Sequence, residues 1–326
     1  MIIRRISAPD ILCIRMYFLA RPREKTLFFH DVDALHLQKY VIICDYKGKI
    51  SADKRKGRRN LIKTVIIDSI DGVMKLISDQ EFNPEIQRLR SSYFFRGMPD
   101  SSFKLTTSLR RNCKQLYREL EPAILRNFSK YASIEDTSLN SSVWKQMMVG
   151  QQHGLPTRLL DWTRSPLIAM HFALSENNFD KLDKRDCVVW RIDMKDLNRN
   201  LPQKYKDALK KEKSFVFSVD SLTSVVNDIA QYDADMGAGA FVNIEPPSVD
   251  QRIINQYSFF SIIPGEMTDI EGFLEENTEK TVRYIIKKEI KWTVRDLLDQ
   301  FNISERIIYP GLDGLSRSLA RHYFVK

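Results

Sequence analysis

At 326 residues, 43% hydrophobic and 29% charged, the chain can bury one substantial core, or one core and a small appendage. No run reaches the ~18 apolar residues of a membrane span. The apolar residues 11–20 are broken by Arg15 and lack a small-residue cleavage site, so no secretory signal is expected. Four cysteines without CxxC spacing exclude a disulfide framework or a zinc ribbon and suit reduced thiols in a cytoplasm.

The formal charge of +9 is uneven. Residues 1–90 hold 18 Lys+Arg against 11 Asp+Glu, leaving 33 against 31 for the remainder. The peak is Lys54, Arg55, Lys56, Arg58 and Arg59, either a solvated loop or a contact for a polyanion.

In chain order, two apolar stretches at 26–29 and 40–44 are expected strands of an accessory basic element, residues 1–60. Residues 61–326 form the main domain. A strand is expected at 65–67 and a helix at 69–79. Tyr93-Phe94-Phe95-Arg96-Gly97 reads as an aromatic strand that delivers one arginine to a glycine turn. A helix is expected over 113–131, with Pro122 kinking or dividing it. Another runs over 142–152, capped by Asn140 or Ser141 and ended by Gly154. The stretch from Gln151 to Pro166 reads as a loop crowded with hydrogen-bonding side chains. It empties into a helix with Ser165 as N-cap and Pro166 at its first position. Ala169 and Ala173 give that helix a flat side able to lie close to a sheet. Strands follow at 187–192, 241–244, 257–263 and 281–286, then a helix at 292–301 and a tail from Ile307 with a final helix. Strands spread among helices predict a mixed α+β domain.

An arginine and an exposed helix N-terminus together make a place for an anion, most often phosphate. Arg96 is therefore either a phosphate clamp or a brace paired with Asp161 or Glu245. Thr163 and Ser165 bracket Arg164, and two hydroxyls exceed what one cap needs. Asp161 is expected to hold the loop by accepting amides or pairing Arg158. His153 reads as a structural histidine and His171 as packing. Tyr93, Trp162, Tyr257 and Phe259 are core residues or stacking platforms.

The stretches Phe95-Arg96-Gly97 and Gln152-His153-Gly154-Leu155-Pro156-Thr157-Arg158-Leu159-Leu160-Asp161-Trp162-Thr163 resemble the two signatures of the FRG domain family. The resemblance extends to 103–110, 169–173 and 308–315, and covers roughly 64–319. More distantly, an aromatic-Arg-Gly strand followed by a Ser/Thr turn opening a helix resembles the first motifs of ADP-ribosyltransferases. That resemblance implies a mixed sheet of their type surrounded by helices, with NAD as substrate and no metal. Arg96 and Gly97 would hold the dinucleotide, Thr163 and Ser165 its ribose, and Trp162 or Tyr257 its rings. The third motif should carry a glutamate before a late strand, where this chain has Gln256; Glu245 is the nearest acid. Arg164 and the cluster from Lys54 to Arg59 would meet a nucleic-acid acceptor, RNA before DNA. Such an enzyme suits a cytoplasmic toxin held by an antitoxin, as in anti-phage defence. A non-catalytic nucleotide-binding module and a ribonuclease are the alternatives, the latter poorly served by five histidines.

Overall fold

The computed structural model describes residues 61–176, 178–247 and 251–326, together with the backbone of four strand segments nearer the start of the chain. Contacts divide the chain into two units, Met1–Arg59 and Asn60–Lys326. In the first, β1 (Met16–Arg21) pairs antiparallel with β2 (Glu24–Phe29), and β3 (Tyr40–Cys44) with β4 (Ile50–Lys54). Arg55, Lys56, Arg58, Arg59 and the side chain of Lys54 lie outside the described residues.

The second unit holds β5 (Lys63–Ile67), a small hairpin of β6 (Phe82–Asn83) and β7 (Arg88–Leu89), β8 (Tyr93–Met98), β9 (Leu159–Thr163), β10 (Cys187–Asp193), β11 (Val242–Ile244), β12 (Ser258–Ile262) and β13 (Val282–Ile286). Seven of these form one sheet in the order β11-β12-β9-β8-β10-β13-β5. Its pairings are antiparallel except β13 with β5. The mixed α+β class is therefore seen.

Both faces of the central strands are covered, which is why their sequences run nearly continuously apolar. Side chains alternate in period two. Tyr93 and Phe95 of β8 join Cys187 and Val189 of β10 in one core cluster, with Ala169 and Ala173. Phe94 and Met98 join Val188, Trp190 and Ile192 in another. A third cluster packs Trp144, Tyr205 and Tyr232 over the β9–β12–β11 end.

The helix Pro166–Ala173 lies almost on β8. A Cβ at Gly97 would stand 1.8 Å from the Ala169 carbonyl oxygen and 2.6 Å from the Ala173 nitrogen. Gly97 is thus required by backbone contact, and the flat alanine side is seated there.

Three local expectations are corrected. Residues 159–163, read as loop, are the strand β9, because the run Leu-Leu-Asp-Trp-Thr buries four of five positions. The helix break falls at Lys114–Leu116, where Lys114 has φ 49°, and Pro122 is carried inside the continuous helix Tyr117–Ala132. The N-cap of Val143–Gln152 is Ser142, whose hydroxyl bonds Thr223 rather than an amide.

Candidate functional site

β8 and β9 share a single register pair, Phe95 with Thr163, and part beyond it. Arg96 fills the opening. Its Nη1 donates to the Asp161 carbonyl oxygen at 2.8 Å and to the Asp161 carboxylate at 3.3 Å. The Arg96 side chain is 17% exposed and that of Asp161 54%, so the pair is half in water. Arg96 Nε is buried without a partner, and both bonds use Nη1, leaving the Nη2 edge uncommitted. The brace with Asp161 is therefore real, and the fork still has donors to offer.

Asp161 is held from its other side. Gln151 Nε2 donates to both carboxylate oxygens at 3.1 Å, and the Thr157 hydroxyl donates to Gln151 Oε1 at 2.6 Å. Gln151 reaches this position because its helix ends sharply. Gly154 sits at φ 85°, its amide bonds Gln151 O at 3.1 Å, and the Leu155 amide bonds Gly150 O at 2.8 Å. That is a Schellman stop, which glycine enters without strain. One hydrogen-bonded chain thus runs Thr157–Gln151–Asp161–Arg96.

The pair faces a cavity of about 300 Å³, lined also by Gly97, Thr163, Phe172, Arg252, Gln256, Ser258 and Tyr309. A narrower cleft of about 90 Å³ shares Asp161, Arg252, Gln256 and Ser258 and adds Gln151 and Gln152. Asp161 is the sole carboxylate among the described lining residues.

Gln256 lines the cavity, yet its amide Nε2 donates to the Ile308 carbonyl oxygen at 3.2 Å, while Asn255 Nδ2 donates to Ile307 O at 2.6 Å. Both amides tie down the segment that brings in Tyr309. A carboxylate could not donate to Ile308, a physical reason for an amide where the resemblance asks for a glutamate. Burial holds the Tyr309 phenol above its ordinary pKa, so it faces the cavity protonated.

Other expected site residues are elsewhere. Ser165 is the N-cap, its oxygen accepting from the Ile168 amide at 3.4 Å, and its own amide bonds Thr163 Oγ1 at 3.1 Å. The helix opening is thus satisfied locally, and the helix gives the cavity Phe172 instead of its first amides. Trp162 touches the cavity, but its indole packs in the core with Nε1 donating to Ser261 Oγ at 2.8 Å. Tyr257 is a 61% exposed turn residue at φ 47°. Arg164 stacks over Phe94 and Phe215, with ring distances of 5.9 and 5.8 Å. Glu245 does not line the cavity; partial burial, then the Glu212 charge, raise its pKa against the pull of Arg164.

Two further readings are revised. Arg158 pairs with Glu121 and Asp233, not Asp161. His171 is fully buried and its Nδ1 accepts from Arg295 Nη1 at 2.8 Å, so it is more than packing. His153 is the exposed C-cap of its helix. Sequence reading placed Asp161 as a partner of Arg96, which the structure bears out, but missed Phe172, Arg252 and Tyr309 as lining.

Residues 91–181 match the family model of the FRG domain. The match contains Arg96, Gln151, Thr157 and Asp161, the whole of the hydrogen-bonded chain, whereas Arg252, Gln256 and Tyr309 lie beyond it. No curated protein and no solved structure matches the chain. Among the described residues, no helix is long and apolar enough to cross a membrane, and no group of three or more His, Cys, Asp or Glu is placed to hold a metal ion.

Proposed function

We propose that the Arg96–Asp161 cavity binds NAD and that the protein is an ADP-ribosyltransferase-like effector modifying nucleic acid, RNA before DNA. The observation that carries this reading is a guanidinium fixed by a carboxylate, with an open Nη2 edge, at the floor of a cavity. Ligand cavities of this class hold ~300–1,000 Å³. Arg96 would take a diphosphate oxygen, and the Thr163 hydroxyl a ribose hydroxyl. Phe172 and Tyr309 offer aromatic surface to a nicotinamide or adenine ring.

In the reaction, the bond from the ribose C1′ to nicotinamide breaks, and its electron pair leaves with the now neutral nicotinamide. The ribose becomes oxocarbenium-like, as in other glycosidic cleavages. The acceptor's oxygen or nitrogen then bonds C1′ and releases a proton. The Asp161 carboxylate is the negative charge available to that state, and the Thr157–Gln151 chain fixes its direction beforehand. Gln256, committed to Ile308, shapes the wall. By analogy, such an activity inside a cell suits a toxin held by an antitoxin in anti-phage defence.

A second reading is a nucleotide-binding module without turnover. It is favoured by Arg96 offsetting the charge of Asp161 and by the absence of a free glutamate from the described lining. A ribonuclease is disfavoured, since no histidine lines the cavity among the described residues. Incubation with NAD carrying a labelled adenosine, and with RNA, DNA or protein as acceptor, decides among them. Label on the polymer supports transfer. Bound but intact NAD supports the module. Shortened RNA supports the nuclease.

A further inference from the structure

Tyr309 lines the cavity with two cations near its ring. The Arg252 guanidinium lies 5.5 Å from its ring centroid, and that of Arg317 also lies 5.5 Å away. The ring's other neighbours are aromatic: Phe172 in an edge contact at 6.5 Å and His171 at 6.0 Å. Arg252 belongs to both the main cavity and the narrower cleft, so a polar surface continues from Tyr309 past the Asp161 carboxylate to the amides of Gln151 and Gln152. Arg317 is exposed, one turn beyond Asp313 on the helix Leu312–His322. The segment is held firmly by Asn255 and Gln256 at Ile307 and Ile308, and by Arg321 on Glu305 and Asp299.

We propose that the Arg252–Tyr309–Arg317 rim and the adjoining cleft form the docking surface for single-stranded nucleic acid. The inference deepens the reading above and rests on it for calling the strand an acceptor. The binding surface itself stands on the rim alone. Guanidinium groups interleaved with an aromatic ring are what a single strand needs. Phosphates meet the charges, while unpaired bases stack on guanidinium planes, with little regard to sequence. The Gln152 amide of the cleft can bond a base edge in either polarity. A rigid duplex has its bases already stacked and gains only the phosphate contacts.

The test is fluorescence anisotropy of the full chain with a labelled single-stranded RNA of about 12 nucleotides, within the usual footprint of such surfaces. Wild type, Arg317→Ala, Arg317→Glu and a control, Lys210→Glu on an exposed helix position, are compared. Binding weakened about tenfold in Arg317→Glu, less in Arg317→Ala and hardly in Lys210→Glu, with a shallower salt dependence at Arg317, is the expected result. Thermal unfolding of each variant shows that the exposed substitutions leave the fold intact. Equal weakening by Arg317→Glu and Lys210→Glu, equal affinity for duplex, or no binding by wild type would overturn the proposal. A DNA strand of the same sequence tells whether the 2′-hydroxyl matters. Binding of NAD by wild type is measured separately. Its absence removes the reading above, and loss of the Arg317 dependence removes this one.

Discussion

Two arginines flank the same motif and do opposite jobs. Arg158 is 5% exposed and is locked between Glu121, 4% exposed, and Asp233. Arg96 meets a half-exposed carboxylate and keeps one edge of its fork open to a cavity. The Glu121 bond takes Arg158 Nε and Nη2, and Asp233 takes Nη1, so no useful donor is left for a ligand. The lesson is that charge and motif position do not separate a brace from a site; unspent hydrogen-bonding capacity beside open volume does.

Removing one partner of the interred pair should give the largest stability change. Glu121→Ala leaves Arg158 buried with half its compensation, and about 3–5 kcal/mol of stability should disappear in denaturant unfolding. A loss below about 1 kcal/mol would show that water reaches Arg158, and would erase the contrast. Next comes Gln256→Glu, which sets a carboxylate against the Ile308 carbonyl. It should cost about 1–3 kcal/mol by leaving that buried acceptor unpaired. It should also loosen 305–317 in hydrogen exchange and give no gain in NAD turnover. Raised turnover in this variant would restore the third-motif role to position 256.

Arg96→Ala is expected to cost only about 1 kcal/mol, since the pair is half solvated. NAD binding should nevertheless fall beyond detection in calorimetry. A large stability loss with retained binding would make Arg96 a second Arg158. The last prediction concerns pH. Burial first, and then the charge of Arg295, lower the His171 pKa from 6.5 to about 3. Its folded form is neutral while the unfolded chain takes up a proton below pH ~6.5. His171 therefore contributes full stability above that pH and progressively less as pH falls towards 3. In His171→Gln, the melting temperature should decline less steeply between those limits than in wild type; an unchanged slope would contradict the assignment.

Much of the frame was legible because it rests on local pattern. Val188 to Ile192 is a nearly continuous apolar run, Val282 to Ile286 alternates in burial, and the start at Ser165 carries cap chemistry, each within a few residues. β9 escaped because its turn-like upstream residues, His153 to Thr157, drew attention from the apolar run that follows. Arg96 and Thr163 were marked by their motif. Asp161 was marked only as one of two brace partners and Gln256 only by its motif place, and the way they meet Tyr309 was not legible, because these residues come together only through long-range register. The β12–β9 pairing sets Phe260 opposite Asp161, and the Gln256–Ile308 bond spans 52 positions. Spacing along a chain holds no information about such meetings. The helix amides failed as a site for the opposite reason. A local rule, Ser165 as cap with Thr163 behind it, already engages the Ser165 and Ile168 amides.

The most direct trial is release of nicotinamide from NAD by the purified full chain, followed by chromatography for wild type, Arg96→Ala and Asp161→Asn. Release by wild type, with Asp161→Asn still binding NAD but releasing nicotinamide at least about a hundredfold more slowly, is the expected result. Equal release by Asp161→Asn, or NAD held equally well without Arg96, would contradict the placement of the chemistry in this cavity.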